Sequence, residues 1–454
     1  MVLGSGDYVP DTEVECAPVR PVWFDAFVVG VIAFTVFAAT ARYHDTLNND
    51  THAAAVAAWQ LAHHGNATLT AFDGRLPWLY AVDGRYVTNR LPGTIFWATP
   101  FYALIGSSSY PPIYPSAIAA AAASAFAIAL AFSLCCRLAS RRAALIAAGL
   151  LAFGTGTWTV SADQLWTHGP AQAAVLLTLL FVVRNQWFLA GVPAGFAILV
   201  RPHLGVVAVT FCVAAIVHTK ELKPLLIGFG TAVGAGILLA YNNALWGGIS
   251  IFGGYNQPVL ASNHKLAALG IGFVGDLVSP ERGVLVMTPA LLMLLPGARA
   301  AWAAAPSWVR WSTVAGLAYL FLQLWGIRFG GGDGFYSYRT TLESLTLCLP
   351  LLTLMWREWT SKRRGRRTIF AALATTSVAM HAFGAVVNWV PGGVSNRPWR
   401  RYLPVDLARH IGAAQTTAWL VGAAIAIVAA TALTWRHQQP TRTTPDAPQP
   451  LVAA

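Results

Sequence analysis

The chain has 454 residues, of which 56% are hydrophobic and only 11% charged, and its mean hydropathy is +0.55. This composition is typical of an integral membrane protein and excludes an ordinary soluble enzyme. The net charge of +12 does not indicate nucleic-acid binding, because the basic residues lie between hydrophobic runs, where membrane orientation accounts for them.

Uncharged runs recur along the chain, and many approach the ~20 residues that a helix needs to cross the hydrocarbon core. Lipid cannot satisfy backbone polar groups, so these runs must be helices. The predicted fold class is all-α: a polytopic transmembrane helical bundle of about 12–13 spans, with outer juxtamembrane helices and no soluble domain. The runs are 26–41, 113–136, 143–162, 185–200, 224–263, 283–298, 311–327, 368–396 and 411–435.

The chain ends are predicted to lie outside this bundle. Residues 1–22 hold four acids and one arginine, which does not fit a cleaved signal peptide, so the first span is expected to be retained as part of a transmembrane domain over 23–435. Residues 436–454 are rich in Pro, Thr and Ala, which predicts a disordered tail. The five cysteines show no metal-ligand spacing, and no structural disulfide is predicted.

The loop 357–367 carries six basic residues, which predicts that it faces the cytoplasm. The 26 arginines against 4 lysines fit a high-GC bacterial genome, so the expected location is a bacterial plasma membrane. The short segment 92–106 contains Pro92 and Pro100 and is expected to lie in the outer interface, with a true span as the alternative. Counting spans places both termini inside, and puts 42–112, 161–168, 245–282, 328–339 and 391–410 outside.

Asp50 follows the first span, in Asn48-Asn49-Asp50-Thr51, and opens an alanine-rich helical run. One interpretation is that Asn49 or Asp50 caps this helix. The other is that Asp50 is a general base toward an acceptor hydroxyl, and the two interpretations are compatible. His52, Asn89 and Arg90 lie in the same polar loop and are candidate substrate-binding residues.

A second acid, Asp163, lies in the turn 158–170 between two spans, with Trp166 and His168 close by. Polar groups at such positions usually serve function, which makes Asp163 a catalytic candidate. For the tryptophan, interfacial anchoring is preferred over sugar stacking. For the histidine, a backbone hydrogen bond is weighed equally with a functional role.

Four arginines lie at predicted outer ends of spans, where a lipid phosphate would lie. Arginine offers a permanent charge and a planar fork for phosphate. For any single one of them, snorkelling or headgroup contact is the alternative. Mixed aromatic and polar stretches nearby suit sugar binding, and they add Asn242, Asp333 and Tyr338 as candidates. The arginines are Arg201, Arg282, Arg328 and Arg339.

This order of features resembles the GT-C superfamily of membrane glycosyltransferases, related to the protein mannosyltransferase and arabinosyltransferase-like families. Asp50 matches the first acid of that pattern, Asp163 matches the second, and 279–283 and 330–339 resemble segments of bacterial members. The resemblance implies transfer of a sugar from a polyprenyl-phosphate donor to a hydroxyl acceptor on the extracytoplasmic face. The high-GC composition favours a mannose- or arabinose-type sugar, and the expected process is cell-envelope glycan synthesis.

Many members of that superfamily pair two acids in the second turn and hold a divalent cation. Here Asp163 is followed by Gln164, so the sequence assigns no metal ligands, and Mg²⁺ or Mn²⁺ remains an open cofactor. Two other functions remain open: a transporter or flippase for a lipid-linked glycan, and a non-catalytic membrane assembly partner. The sequence fixes neither the sugar and acceptor nor the oligomeric state.

Overall fold

Helices dominate the chain in the computed structural model, which describes residues 21–43, 48–73, 75–108, 110–254, 266–326, 334–389 and 399–436. The predicted all-α fold class is confirmed. In chain order the helices are α1 (Val22–Thr40), α2 (Asn49–His64), α3 (Pro92–Ala103), α4 (Tyr114–Cys135), α5 (Arg141–Phe153), α6 (His168–Val183), α7 (Trp187–Val200), α8 (Gly205–Thr219), α9 (Ile227–Trp246), α10 (Leu266–Val278), α11 (Val284–Met287), α12 (Ala290–Leu294), α13 (Ala298–Ala304), α14 (Ser307–Gly326), α15 (Leu342–Glu358), α16 (Arg364–Val387), α17 (Leu403–Ile411) and α18 (Ala413–Arg436).

A two-stranded hairpin follows α2, with β1 (Tyr80–Val82) antiparallel to β2 (Arg85–Val87). Asp83 and Gly84 both have positive φ, 47° and 72°, as a two-residue turn with the natural twist requires. Single 3₁₀ or π turns join other elements at Thr70–Phe72, Thr157–Ser161, Pro202–Leu204, Lys223–Leu226, Leu295–Gly297 and Thr360–Lys362.

Six helices within the described residues are long and apolar enough to cross a membrane, and four shorter apolar helices accompany them. The chain is therefore a multi-pass membrane protein, while its exact number of spans stays a prediction. The 12 residues of α3 reach about 18 Å at 1.5 Å per residue, well short of a bilayer core. The six are Val22–Thr40, Tyr114–Cys135, Pro202–Thr219, Lys223–Trp246, Arg364–Val387 and Ala413–Trp435.

The alanine-rich helix α4 lies at the centre of the bundle. Its most apolar window is 72% buried inside the protein, whereas that of α18 is 0% buried. Alanines along α4 pack against α1, α5 and α6, because small side chains let neighbouring helix backbones approach. The bundle interior is thus protein, and the terminal helix presents its apolar surface outward.

Helices α7 and α9 make the closest helix contact through facing glycines. A Cβ added to Gly234 would lie 2.3 Å from the carbonyl oxygen of Gly195, and one added to Gly230 would lie 2.5 Å from that of Gly191. Both pairs are spaced four residues apart, so they lie on one face of each helix. Only hydrogen fits at these positions.

Helices α15 and α16 define two ends of the bundle. The first turn of α15 contains Glu343, and its last turn joins the basic loop through Arg357. Helix α16 runs back from Arg364 to Asn388, which contacts Asp163. The candidate acids therefore lie at the end of the bundle opposite the basic loop.

The α7–α9 contact predicts different outcomes for two glycines of one helix. Gly234→Ala should lower the free energy of unfolding by about 1–3 kcal/mol, because its methyl overlaps backbone atoms. Gly236→Ala is the matched control: a Cβ at Gly236 meets nothing within 4 Å, so no loss is expected. Unfolding in mixed micelles measures both, and equal stability of the two variants would contradict the close packing.

Candidate active site

Asp50 is the second residue of α2, and its side chain does not cap the helix. The cap is Asn48, whose side-chain oxygen accepts a hydrogen bond from the backbone nitrogen of Asp50 at 2.7 Å. The expectation that Asn49 or Asp50 caps α2 was therefore wrong, because the residue before them satisfies the free N–H group. The Asp50 carboxylate is left available for other partners.

Two arginines distant in sequence hold the Asp50 carboxylate. Arg90 approaches one oxygen at 2.8 Å, and Arg339 approaches the other at 3.7 Å. Asn89 orients Arg90 by accepting from its Nε at 2.7 Å. The Asp50 side chain is 36% exposed, against 16% and 13% for the two arginines. The acid therefore faces solvent while the arginines behind it are largely enclosed.

Aromatic rings support the arginines of this site. The guanidinium of Arg339 lies 4.7 Å from the ring centroid of Trp166 and 5.0 Å from that of Phe335. Arg282, only 1% exposed, lies 4.1 Å from the same Phe335 ring. Stacking fixes the planes of both guanidinium groups. We call Asp50, Arg90, Trp166, Arg282, Phe335 and Arg339 the Asp50 cluster.

A buried carboxylate balances part of the positive charge around Arg282. Glu281 is fully buried, and its Oε1 lies 3.6 Å from Nε of Arg282 and 3.1 Å from Nε of Arg401. Glu281 therefore links its sequence neighbour Arg282 to Arg401, which lies far away in the chain.

The second predicted acid, Asp163, is buried and pairs with Arg42, which lies just after the end of α1. Arg42 Nη2 lies 3.3 Å from Asp163, and the Arg42 backbone donates to the Asp163 carbonyl at 3.0 Å. With its amide nitrogen turned toward the acid, Asn388 donates to Asp163 at 3.1 Å. Burial raises the pKa of Asp163 to about 6, and Arg42 opposes part of that rise.

One hydrogen bond joins the two acid-bearing segments. Thr51, next to Asp50, donates from its hydroxyl to the side-chain oxygen of Gln164, next to Asp163, at 2.8 Å. Both residues are buried. The two acids predicted from sequence thus lie at the same end of the bundle, on segments that contact each other directly.

His168 and Arg201 meet in a buried network beneath the Asp50 cluster. His168 Nδ1 lies 2.8 Å from Glu343 Oε1, and Arg201 Nη1 lies 3.2 Å from the same oxygen. Arg201 also donates to the hydroxyl of Tyr319 at 2.7 Å. An ionised carboxylate only accepts, so His168 carries its proton on Nδ1. The partner of His168 is a side chain, and the simpler expectation of a backbone partner was wrong.

Sequence reasoning missed Glu343, Arg42 and Phe335. The signal for Glu343 was an acid at the second position of a helix whose next thirteen residues are uncharged, where ionisable residues are rare and usually functional. The signal for Arg42 was an arginine directly after a span, which we would ordinarily interpret as a snorkelling side chain. Phe335 lies inside the stretch 330–339 that the sequence singled out, but nothing in the sequence distinguishes its ring from the other aromatic side chains of that stretch.

Three further predicted residues make local contacts. His52 Nε2 lies 3.2 Å from the hydroxyl of Tyr110. Asn242 donates to the carbonyl of Ser250 at 2.6 Å and so closes its own loop, and the Tyr338 hydroxyl lies 2.7 Å from that of Thr288. None of these contacts involves the Asp50 cluster. The remaining two predicted residues, Arg328 and Asp333, lie outside the described residues.

The chemistry of the donors does not suit a divalent cation. No group of three His, Cys, Asp or Glu side chains able to hold a metal occurs in the part of the chain that the structure describes. Asp50 and Asp163 each pair with arginine instead, and arginine repels a cation. We therefore assign no step to a metal ion.

The chain is similar in structure to a protein of known structure, whereas the sequence comparisons find no match. No protein-family model matches the chain, and no curated protein matches it. Among solved structures, ArnT from Cupriavidus metallidurans bound to undecaprenyl phosphate matches 91% of this chain and 76% of its own, at 14% identity and a TM-score of 0.49. At these values the likeness assigns neither a family nor an activity to the chain.

Asp163 predicts a pH dependence of stability. Its pKa is about 6 when folded and 3.8 ordinarily, so between those values the folded state binds the extra proton. The free energy of unfolding should then fall as pH rises from 3.8 to about 6, by up to about 1.4 kcal/mol per pH unit, and level off above.

Unfolding in mixed micelles at several pH values measures this slope. Asp163→Asn cannot titrate, so its stability should lack this fall over the same interval. A fall of equal size in the variant would show that another group is responsible.

Proposed function

We propose that the protein transfers a sugar from a polyprenyl-phosphate donor to a hydroxyl acceptor on the extracytoplasmic face of the membrane. One observation carries the proposal: the Asp50 carboxylate is exposed at one end of an apolar bundle and is held between Arg90 and Arg339. A carboxylate can accept a proton there, and arginines beside it can hold a phosphate. The resemblance to GT-C glycosyltransferases supplies the reaction class.

The balance of charge favours an anionic substrate. Five arginines form ion pairs with three carboxylates in this corner, and the buried Asp276 lies near Arg282 as a fourth carboxylate, which leaves one positive charge in excess. Lipid phosphates lie at the membrane surface, where they meet basic side chains at the ends of helices. A lipid-linked sugar would keep its tail in the bilayer and its phosphate at the cluster. The residues are Arg42, Arg90, Arg282, Arg339 and Arg401, with Asp50, Asp163 and Glu281.

Arg339 suits stabilisation of the leaving phosphate. Its guanidinium is stacked on Trp166 and Phe335, so little reorganisation is needed when negative charge develops beside it. Arg282 is placed on the same Phe335 ring and adds a second positive charge. In the proposed step, the bond from the anomeric carbon to the phosphate oxygen breaks, and its electron pair leaves with the phosphate.

Asp50 suits the role of base in the same step. The acceptor oxygen forms the new bond to the anomeric carbon, and its proton passes to the Asp50 carboxylate. A bound phosphate would compete with Asp50 for Arg339, whose contact with the acid is the longer one at 3.7 Å.

A transporter is the main alternative, and it predicts ionisable side chains near the middle of spans. Three of the buried ionisable side chains lie instead at helix ends, whereas the fully buried His381 lies inside α16. His168 is the first residue of α6, Glu343 the second residue of α15, and Arg201 follows the last residue of α7. All three lie next to the Asp50 cluster, which favours a site at the membrane surface over a path through the bundle.

Asp50→Asn should reduce transfer by at least about 100-fold, since it removes the proton acceptor but keeps the shape. The measurement is transfer of labelled mannose or arabinose from polyprenyl phosphate to a cell-wall glycan, in membranes that carry the variant. Asp73→Asn, in the same loop, is the matched control and should transfer at the wild-type rate. Wild-type transfer by the Asp50 variant would exclude Asp50 as the base.

Arg339→Gln should raise the KM for the donor by about 10-fold to 100-fold, because it removes a charge-assisted contact to phosphate. Arg85→Gln, on β2, is the control and should leave the KM unchanged. Steady-state kinetics with varied donor measure both. If the two variants show the same KM as the wild type, the phosphate does not lie at Arg339.

A further inference from the structure

Two segments of the chain contact each other in the Asp50 cluster, where both Arg339 and Phe335 meet Trp166, and again beneath it. At the outer contact, Arg339 stacks on Trp166 at 4.7 Å. At the inner contact, Glu343 accepts from His168 at 2.8 Å. Trp166 and His168 are two residues apart, and Arg339 and Glu343 are four residues apart. The His168–Glu343 hydrogen bond therefore holds together the same two segments that meet at the Arg339–Trp166 contact.

The inner contact is strongly anchored. Both side chains of the His168–Glu343 bond are 0% exposed, and Arg201 supplies a counter-charge to Glu343 at 3.2 Å. Arg201 is itself bonded to Tyr319 on α14. Taking one partner away from a buried ion pair leaves an uncompensated charge in an apolar surrounding, so the paired arrangement is strongly preferred.

Arg339 lies outside the regular helix and depends on its flanks for its position. Helix α15 begins at Leu342, three residues later. The next residue, Thr340, donates a hydrogen bond from its hydroxyl to Asp276. Glu343, at the start of α15, accepts a hydrogen bond from His168. Of these two hydrogen bonds, the one through Glu343 reaches the segment that carries Trp166, which the Phe335 ring also contacts at 5.6 Å between ring centroids.

We propose that Glu343 is a positioning residue, which acts through His168 to hold Arg339 against Trp166 and within reach of Asp50. Glu343 lies beneath the cluster and does not touch substrate. Its assignment to sugar transfer rests on the proposed function, whereas its effect on the position of Arg339 does not. Loss of the bond would let the segment 334–342 move, and displacement of a binding group by about 1 Å can cost up to about 100-fold in rate.

Glu343→Gln tests the proposal, since it keeps the shape and removes the charge. Glu358→Gln is the matched control, because Glu358 lies at the opposite end of α15 and also pairs with basic side chains. His168→Ala is a second variant that removes the bond but leaves Glu343 paired with Arg201. It keeps the test valid if Glu343→Gln folds poorly.

Hydrogen–deuterium exchange of the protein in detergent is the first readout. Glu343→Gln and His168→Ala should both speed exchange in 334–342, while Glu358→Gln should match the wild type there. Exchange that rises equally over the whole bundle, or that does not rise in 334–342, would overturn the positioning role and leave Glu343 a merely structural residue.

Donor kinetics are the second readout. The two variants should raise the KM for a polyprenyl-phosphate sugar by about 10-fold or more, with a smaller change in kcat. If the wild type transfers no sugar but exchange in 334–342 still rises in both variants, the positioning role stands and the proposed function fails. If transfer occurs and both variants keep the wild-type KM, the positioning role is wrong and the proposed function stands.

Discussion

Pairing of carboxylates with arginines at one end of an apolar bundle is the constraint on which the rest of this structure depends. Asp50 pairs with Arg90 and Arg339, and Asp163 pairs with Arg42. A buried charge without a counter-charge is costly, so each pair fixes the two segments that carry it. The pairs join the loop after α1 to segments up to about 290 residues away, and so they bring distant parts of the chain to a single site.

Exposure separates the roles of the two predicted acids. The Asp50 side chain is 36% exposed, and an acceptor can reach it, whereas Asp163 is 5% exposed and is enclosed with Arg42 and Asn388. The proposed chemistry therefore belongs to Asp50, while Asp163 is placed to support the surrounding backbone. The link through Thr51 and Gln164 makes the two acids parts of one arrangement, although only the first is open to solvent.

The sequence predicted helices well and their partners poorly. The uncharged run 113–136 became α4 almost residue for residue, because hydrophobic length alone decides a span. The run 143–162 instead holds α5 and a π turn, since Gly154 and Gly156 interrupt the helix. Which arginine faces Asp50 depends on helix packing, which one sequence does not contain. The buried partner Glu343 was therefore missed, while Asp50, a polar residue next to a span, could be singled out and stays a prediction.

The central claim is that the Asp50 cluster binds the phosphate of a lipid-linked sugar. An experimental structure of the protein with a polyprenyl phosphate in nanodiscs tests this claim most directly. We expect the phosphorus within about 5 Å of the Arg339 guanidinium carbon, with the tail between helices and Asp50 facing the open side. A phosphate bound instead at the basic loop 357–367, with the Asp50 cluster unchanged, would contradict it.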